Sequence, residues 1–382
     1  MRDLLRRLHL CIGATLCIPF AVLGITGSVL VFEGELRGYF EPAPQAMASG
    51  PARPVAEIIA VARSAAPAGM TPSLFIPAHA LGEAAELRFA DPRRGQGPGG
   101  VRIFVDPASL AILGNREAGE GALRFISTLH STLLMRDVGG RSIVGWLGLG
   151  MLLLGLTGPV LWWPRSGAWR AAITVRRGAR GYQLLRDLHG MVGIFGCALL
   201  VVVSASGVTL AFPQEIGSAI ARILPTRDLR PNAPSIKPNP IAGETPLDVD
   251  GVLALTQAAT PGMELRFLFL PQRPDQPYRA SLSLPQASPG APAVTLFIDP
   301  WTRRVAETRD PRSYNFTESL IAWQRPLHAG AGLGWPWRLL VFVTGLLPPL
   351  FAGTGVTMWL LRRRARARTL GVSSNRYPVA GE

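Results

Sequence analysis

The chain has 382 residues, of which 48% are apolar, and a formal net charge of +14. A charge of this size invites a nucleic-acid-binding interpretation, but the arginines cluster beside long apolar runs, so we exclude that function. The three cysteines, Cys11, Cys17 and Cys197, all lie within or beside apolar runs, which excludes a disulfide framework for the polar regions.

Four apolar runs dominate the chain, at residues 12–32, 143–163, 190–212 and 337–361. Each run is near or above the ~20 residues that a helix needs to cross a hydrocarbon core of ~30 Å. The first run exceeds the ~7–15 apolar residues of a signal peptide, so we expect an uncleaved anchor, although Ala46-Met47-Ala48 leaves cleavage open. These runs predict a mainly α membrane protein with four transmembrane helices.

The arginines set the orientation of the four predicted spans. Fifteen of them flank the spans on one side against only three acidic residues, which leaves +12 of the +14 charge there. They are Arg2, Arg6, Arg7, Arg165, Arg170, Arg176, Arg177, Arg180, Arg186, Arg362, Arg363, Arg364, Arg366, Arg368 and Arg376. By the positive-inside rule, both termini and the middle loop are cytoplasmic in a bacterial inner membrane.

The chain repeats itself, since residues 6–36 resemble residues 186–216. In each half a predicted helix is followed by strand-like runs that turn at an Asp-Pro pair, at Asp106 and at Asp299. The repeat predicts two small α+β modules, each between two spans.

The expected domain boundaries follow from these patterns. They are a first transmembrane helix at 1–36, a periplasmic module at 37–119, an interfacial helix and second transmembrane helix at 120–165, a basic cytoplasmic loop at 166–186, a third transmembrane helix at 187–213, a second periplasmic module at 214–315, an interfacial segment and fourth transmembrane helix at 316–362, and a basic cytoplasmic tail at 363–382.

Four of the five histidines begin the hydrophobic segments. His9 and His189 each lie 18 residues before the glycine of a Thr-Gly or Ser-Gly pair, while His130 and His328 lie 28 and 27 residues before one. Glycines interrupt the segments after His130 and His328, so we expect these two at the outer surface and the other two at the inner one. Topology therefore pairs His9 with His189 and His130 with His328.

Paired imidazoles at matched depth are typical of a metal site, most simply of bis-histidine haem. Because the chain contains no CxxCH motif, the expected cofactors are two non-covalent b-type haems. His9 and His189 would bind the inner haem iron, and His130 and His328 the outer one. The fifth histidine, His79, is interpreted as a solvated surface residue.

Glycines and arginines complete the candidate site. Gly27, Gly158, Gly207 and Gly355 lie at the far end of each span from its own histidine, so we expect them beside the haem of the other pair. Close helix packing is the alternative role of such glycines. Arg136, Arg141, Arg325 and Arg338 are candidates for the outer haem propionates. Arg6, Arg7 and Arg186 lie near the inner pair, where a propionate role stays open but membrane topology is the favoured explanation.

The motifs LHLCIG…TGSVLVF, LHSTLL…GLTGPVLWWPR, DLHGMVG…SGVTLAF and PLHAGAG…GTGVTMWLLRR resemble the PepSY-associated transmembrane helix family over nearly the whole chain. The two modules resemble PepSY domains. At this length and span number the chain is similar to inner-membrane ferric-siderophore (ferrioxamine) reductases of the FoxB type. That resemblance implies two b haems, with His9, His130, His189 and His328 as ligands, and reduction of siderophore-bound iron in the periplasm.

The expected function is therefore transfer of electrons across the membrane from a quinol or a cytoplasmic reductant to a ferric siderophore of the ferrioxamine kind, with release of Fe(II). Two alternatives stay open. One is a haem-free PepSY regulator of a periplasmic protease, which gives the four histidines no role. The other is a quinol-linked cytochrome b subunit that passes electrons to a protein acceptor.

Overall fold

A computed structural model describes residues 1–48, 50–91, 100–118, 121–164, 167–227, 236–284 and 286–374. Arg165, Arg376 and the end of the 363–382 tail lie outside these residues. The chain forms two compact units. We call residues 1–32, 126–212 and 327–382 the bundle unit, and residues 33–125 and 213–326 the sheet unit.

The described residues form twelve α-helices and eight strands. The helices are α1 Arg2–Thr15, α2 Cys17–Leu30, α3 Glu33–Phe40, α4 Val55–Ala65, α5 Ala122–Thr132, α6 Gly140–Trp162, α7 Trp169–Ala172, α8 Gly181–Ala211, α9 Pro213–Ala221, α10 Val249–Ala259, α11 Phe316–Ala329 and α12 Gly334–Ser374. The strands are β1 Thr71–Ile76, β2 Ala85–Ala90, β3 Gly100–Val105, β4 Ile112–Ala118, β5 Glu264–Phe269, β6 Tyr278–Ser283, β7 Val294–Asp299 and β8 Arg304–Arg309.

Three helices of the bundle unit, α6, α8 and α12, are long and apolar enough to cross a membrane. Only 22% of the most apolar window of each is buried within the protein. The remaining apolar side chains face outward, as they do in helices surrounded by lipid. The chain is therefore a membrane protein, as the sequence predicts.

The first apolar run is not one straight helix, because α1 and α2 meet at an angle of 67°. Pro19 lies in the first turn of α2 and has no N–H to donate to the carbonyl of Thr15, so the helix breaks at Leu16. The equivalent position of the second half is Leu199, within the unbroken helix α8. The bent pair supplies a fourth span if its two helices cross the membrane as one.

Glycines let the helices of the bundle unit approach closely. Gly24 on α2 and Gly345 on α12 touch backbone to backbone. Gly145, Gly148 and Gly155 on α6 pack against side chains of α8. These five glycines therefore serve helix packing, the alternative role that the sequence left open.

The sheet unit contains one antiparallel sheet with strand order β4-β3-β2-β1-β5-β6-β7-β8. The expected helices and strands are present in both halves, but the modules are not separate sheets. Strand β1 pairs with β5 through Leu74 opposite Phe269 and Phe75 opposite Leu268. This pairing joins residues about 190 positions apart, which local sequence patterns do not reveal.

Helices α4 and α10 share the core of the sheet unit with the apolar side chains of the strands, among them the fully buried Leu87, Ile103 and Leu268. A cross-connection ties the two halves at the helix ends. The carboxylate of Asp250, on α10, accepts hydrogen bonds from the backbone N–H of Val55 (2.7 Å) and Ala56 (3.1 Å) at the start of α4. A carboxylate at a helix N-terminus satisfies two otherwise unpaired donors and complements the helix dipole.

The aspartates of the two Asp-Pro turns, Asp106 and Asp299, accept different sets of hydrogen bonds. The buried carboxylate of Asp106 accepts hydrogen bonds from the backbone N–H groups of Ala48, Ser109, Ala108 and Met47, which lower its pKa to about 2. Asp299 accepts only from Trp301 and Thr302 within its own turn, among the residues described. Asp106 therefore also fastens the segment that follows α3, whereas Asp299 stabilises only its turn.

Candidate functional site

The structure brings the four histidines of the bundle unit into the two pairs that the sequence predicts. His130, near the end of α5, and His328, near the end of α11, have ring centres 6.0 Å apart. His9 on α1 and His189 on α8 line a common cavity of about 880 Å³. In the sheet unit, His79 is exposed and belongs to neither pair.

The Nδ1 atoms of His130 and His328 both lie against main-chain carbonyls. Nδ1 of His130 is 3.0 Å from the carbonyl oxygen of Leu23, and Nδ1 of His328 is 2.9 Å from that of Val203. Since a carbonyl oxygen only accepts hydrogen bonds, both rings carry their proton on Nδ1. The lone pair of each neutral ring is then on Nε2.

The hydroxyl of the nearest Thr-Gly or Ser-Gly pair supports the same tautomer. Oγ1 of Thr26 lies 3.1 Å from Nδ1 of His130, and Oγ of Ser206 lies 3.3 Å from Nδ1 of His328. Each hydroxyl donates its own hydrogen to a carbonyl one turn earlier in its helix, at 2.7 Å and 2.8 Å respectively. Both hydroxyls can therefore accept from the histidine Nδ1–H.

The side-chain hydrogen-bond partners of His9 and His189 among the described residues are threonine hydroxyls. Nδ1 of His9 lies 2.8 Å from Oγ1 of Thr157, and Nδ1 of His189 lies 2.8 Å from Oγ1 of Thr354. The two hydroxyl hydrogens are donated to Leu153 and Leu350. With the hydroxyl hydrogens so placed, Nδ1–H of each histidine donates to the threonine oxygen, and again the lone pair is on Nε2.

All four histidines thus share one arrangement, in which Nδ1–H is fixed by the protein and Nε2 is the basic nitrogen. Metal-binding histidines have this arrangement, because the hydrogen bond from the second nitrogen sets the tautomer and orients the ring. The sequence analysis singled out the glycines but missed the role of Thr26, Thr157, Ser206 and Thr354. The signal was present, since each of them immediately precedes a candidate glycine.

The four candidate glycines all lie beside a histidine of another helix. A methyl group added at Gly27 would stand 2.9 Å from Cε1 of His130, and one at Gly207 would stand 2.9 Å from Cε1 of His328. At Gly158 and Gly355 the corresponding distances, to His9 and His189, are 3.9 Å and 3.8 Å. The glycines therefore border the other pair of histidines in the order that the spacing predicts; a direct role in cofactor binding stays a prediction.

The two pairs lie near opposite ends of the bundle helices. In the continuous helix α8, His189 belongs to one pair, and Ser206, which contacts His328, marks the other. A separation of 17 residues corresponds to about 26 Å along a helix, close to the ~30 Å of a hydrocarbon core.

The four candidate arginines differ in their contacts. Arg141 donates to the carbonyls of Leu210 and Ala211 at the end of α8, and Arg338 donates to the carbonyl of Val31 after α2. These guanidinium groups cap helix C-termini, a role that complements the helix dipole. Arg136 donates to Thr128 in the bundle unit, and Arg325 is exposed in the sheet unit. Their binding to propionates stays a prediction.

The cavity beside His9 and His189 is lined by charged residues and by glycines. Its largely exposed end, which we call the mouth, carries four arginines, Arg2, Arg6, Arg186 and Arg362, and two aspartates, Asp3 and Asp187. Its wall includes Gly13 and Gly193, each four residues after a histidine of the pair, where an added methyl group would meet nothing within 4 Å. Apolar space beside two imidazoles and below arginines suits a flat ligand that carries negative charge at one edge.

The described residues contain no group of three or more His, Cys, Asp or Glu side chains that could hold a metal ion. Each histidine pair therefore offers two protein ligands, and further ligands to a metal would come from a bound group. A tetrapyrrole supplies four equatorial nitrogens and leaves two axial positions for histidines.

Comparison with known proteins agrees with this architecture. The family described as PepSY-associated TM region matches residues 6–362. The uncharacterized protein PA4219 of Pseudomonas aeruginosa is 28% identical over 277 residues, which cover 65% of this chain and 67% of that protein. Because the family match covers nearly the whole chain, the protein belongs to the family of the PepSY-associated TM region.

Proposed function

We propose that the protein is a two-haem reductase of the bacterial inner membrane that passes electrons to a ferric siderophore in the periplasm. The observation that carries this proposal is the shared state of His9, His130, His189 and His328, each held as the Nδ1–H tautomer in a pair at one end of the bundle. A histidine that only faces solvent or packs in a core does not require a hydroxyl partner at Nδ1, whereas a metal-binding histidine is oriented by such a hydrogen bond.

A distance in one pair and a cavity beside the other support haem ligation. Two imidazoles that bind one metal ion through Nε2 at about 2.0 Å have ring centres about 6 Å apart. The ring centres of His130 and His328 are 6.0 Å apart. The cavity of about 880 Å³ between His9 and His189 is large enough for a macrocycle.

The proposed topology has four spans, counting α1 and α2 as one bent span. Both termini and the 166–186 loop are cytoplasmic, because the arginines concentrate there. The sheet unit, in both of its chain segments, is then periplasmic. In this orientation His9 and His189 lie toward the cytoplasm, and His130 and His328 toward the periplasm.

The protein residues supply ligands, orientation and a low-dielectric surround. When bound, haem would supply reversible one-electron transfer, and His9, His189, His130 and His328 would hold the two irons. The threonine and serine hydroxyls keep each Nε2 unprotonated and aligned, while the apolar helices exclude water. The iron of the substrate is held by hard oxygen donors, which bind Fe(II) more weakly than Fe(III), so reduction releases it.

A visible spectrum and the haem content of the purified full-length protein test the cofactor. We expect two b-type haems per chain, with the sharp α and β bands of low-spin haem after reduction. Colourless protein would favour the haem-free PepSY regulator of a periplasmic protease.

Anaerobic oxidation of the reduced protein by ferric siderophores tests the substrate. We expect haem oxidation to be matched by Fe(II) captured with a chromogenic chelator, and ferrioxamine to react. Two haems that ferric siderophores do not oxidise would instead favour the cytochrome b subunit with a protein acceptor.

A further inference from the structure

The cavity between His9 and His189 has a charged end and an apolar end, arranged alike on two helices. Each helix carries an Arg-x-Leu-His sequence, with Arg6 before His9 and Arg186 before His189. Side chains three and four residues apart share one helix face, so Arg, His and the later Gly lie in a row on α1 and again on α8. All six residues line the cavity: Arg6, His9, Gly13, Arg186, His189 and Gly193.

The four arginines at the mouth are not equally available to a ligand. Arg2 donates to the carbonyls of Leu161 (2.8 Å) and Trp163 (3.0 Å) at the end of α6. Arg362 stacks over the ring of Tyr182, 4.8 Å from its centre. Both therefore have structural contacts of their own.

Arg6 and Arg186 are the better placed pair. Arg6 has no hydrogen bond or ion pair to the described residues. Arg186 approaches Asp187 at 3.6 Å, but that carboxylate is already held by Arg176 at 2.8 Å. Two guanidinium groups related by the repeat thus lie at a mouth where the arginines outnumber the aspartates Asp3 and Asp187, the second of which is already paired with Arg176.

We infer that Arg6 and Arg186 bind the two propionates of the haem held by His9 and His189, an inference that rests on the proposed function. A haem carries both carboxylates on one edge, and guanidinium groups bind carboxylates through paired hydrogen bonds. The carboxylates of a bound haem would then lie beside Arg6 and Arg186, and its apolar edge beside Gly13 and Gly193.

The variants R6Q, R186Q and R6Q/R186Q test the assignment, with R7Q as the matched control. Arg7 contributes the same charge to membrane topology but does not line the cavity. The measurements are haem content, the rate of haem transfer to excess apomyoglobin, and the midpoint potential of each haem. The His130–His328 haem is an internal control for folding, because its spectrum should not change.

We expect the double variant to lose one haem about tenfold faster or more, since each charged hydrogen bond contributes substantially to binding. Its midpoint potential should fall, because removing cations disfavours the reduced haem, and R6K/R186K should restore most of both properties. Loss of haem no faster than in R7Q would overturn the inference while leaving the two-haem proposal intact. A wild-type protein without haem would overturn both.

Discussion

His130 and His328 are fixed by close packing, whereas His9 and His189 border open space. In the first pair, each Nδ1–H meets a main-chain carbonyl as well as a hydroxyl, and each ring presses on a glycine. In the second pair, one threonine hydroxyl holds each ring, and a cavity of about 880 Å³ adjoins them. Duplication relates the two histidines within each pair, and the protein thus contains one preorganised pair and one accessible pair.

The difference has a physical origin in the residues around each pair. A main-chain carbonyl cannot be removed by mutation, so the His130–His328 pair keeps its tautomer as long as the helices stay packed. The His9–His189 pair depends on Thr157 and Thr354, and one of its helices, α1, is bent away from α2 and has no buried residue. We therefore expect the two sites to respond differently to matched changes.

The largest effect should follow removal of a ligand. His130→Gly and His9→Gly should each lower the haem content from two to one per chain, with loss of one low-spin signal. Added imidazole should restore the low-spin signal in His9→Gly, because that side chain lines a cavity, and much less in His130→Gly. Pyridine haemochrome assay and electron paramagnetic resonance measure both. The control His79→Ala, at an exposed histidine, should keep two haems. Equal rescue of His9→Gly and His130→Gly by imidazole would contradict the expected difference between the two pairs.

The glycines should give the next largest effect. In Gly27→Ala the new methyl group would stand 2.9 Å from Cε1 of His130, inside the ~3.5–4.0 Å of a favourable carbon contact. Overpacking of this kind costs about 1–3 kcal/mol, so the haem of that pair should bind roughly tenfold more weakly. Gly158→Ala places its methyl group 3.9 Å from His9 and should bind both haems normally. Haem titration of the purified variants measures both affinities. Weaker haem binding by Gly158→Ala than by Gly27→Ala would contradict this expectation.

Removal of a histidine-bound hydroxyl should affect the His9–His189 pair more than the His130–His328 pair, the reverse of the glycine variants. Thr157→Ala leaves Nδ1 of His9 without its partner among the described residues, and loss of such a contact typically weakens metal binding about 10- to 100-fold. Thr26→Ala leaves the carbonyl of Leu23 in place, so haem binding at His130 should weaken much less. The rate of haem transfer to apomyoglobin measures both variants. A larger effect of Thr26→Ala would mean that the carbonyl does not hold the ring.

The smallest effect should come from removing the bend between α1 and α2. Pro19→Leu introduces the residue that the second half has at position 199 and restores a donor for the carbonyl of Thr15. We expect a shifted spectrum for the His9–His189 haem with both haems retained, and no shift for the other haem. The neighbouring exposed change Ile18→Val is the control. Resonance Raman or low-temperature optical spectra measure the shift. A shift for both haems would show that the effect of the bend is not limited to the His9–His189 pair.

Several features of this protein are determined by local sequence. The apolar runs are long enough to name the spans, the helix after residue 55 and its copy after residue 249 follow the expected periodicity, and the Asp-Pro turns end strands in both halves. The histidine pairs also follow from sequence, because duplication and span direction fix which histidines share a depth. Each of these signals depends on neighbours within a few turns of chain.

Tertiary structure decided the rest, because it depends on contacts between distant segments. The β1–β5 pairing merges the two modules into one sheet, and nothing near residue 74 indicates residue 269 as its partner. The hydroxyls of Thr26 and Thr157 became important only when they met His130 and His9, more than 100 residues away. The arginines show the same limit, since sequence gives their charge but only packing separates Arg141 and Arg338, which cap helices, from Arg6 and Arg186, which face a cavity.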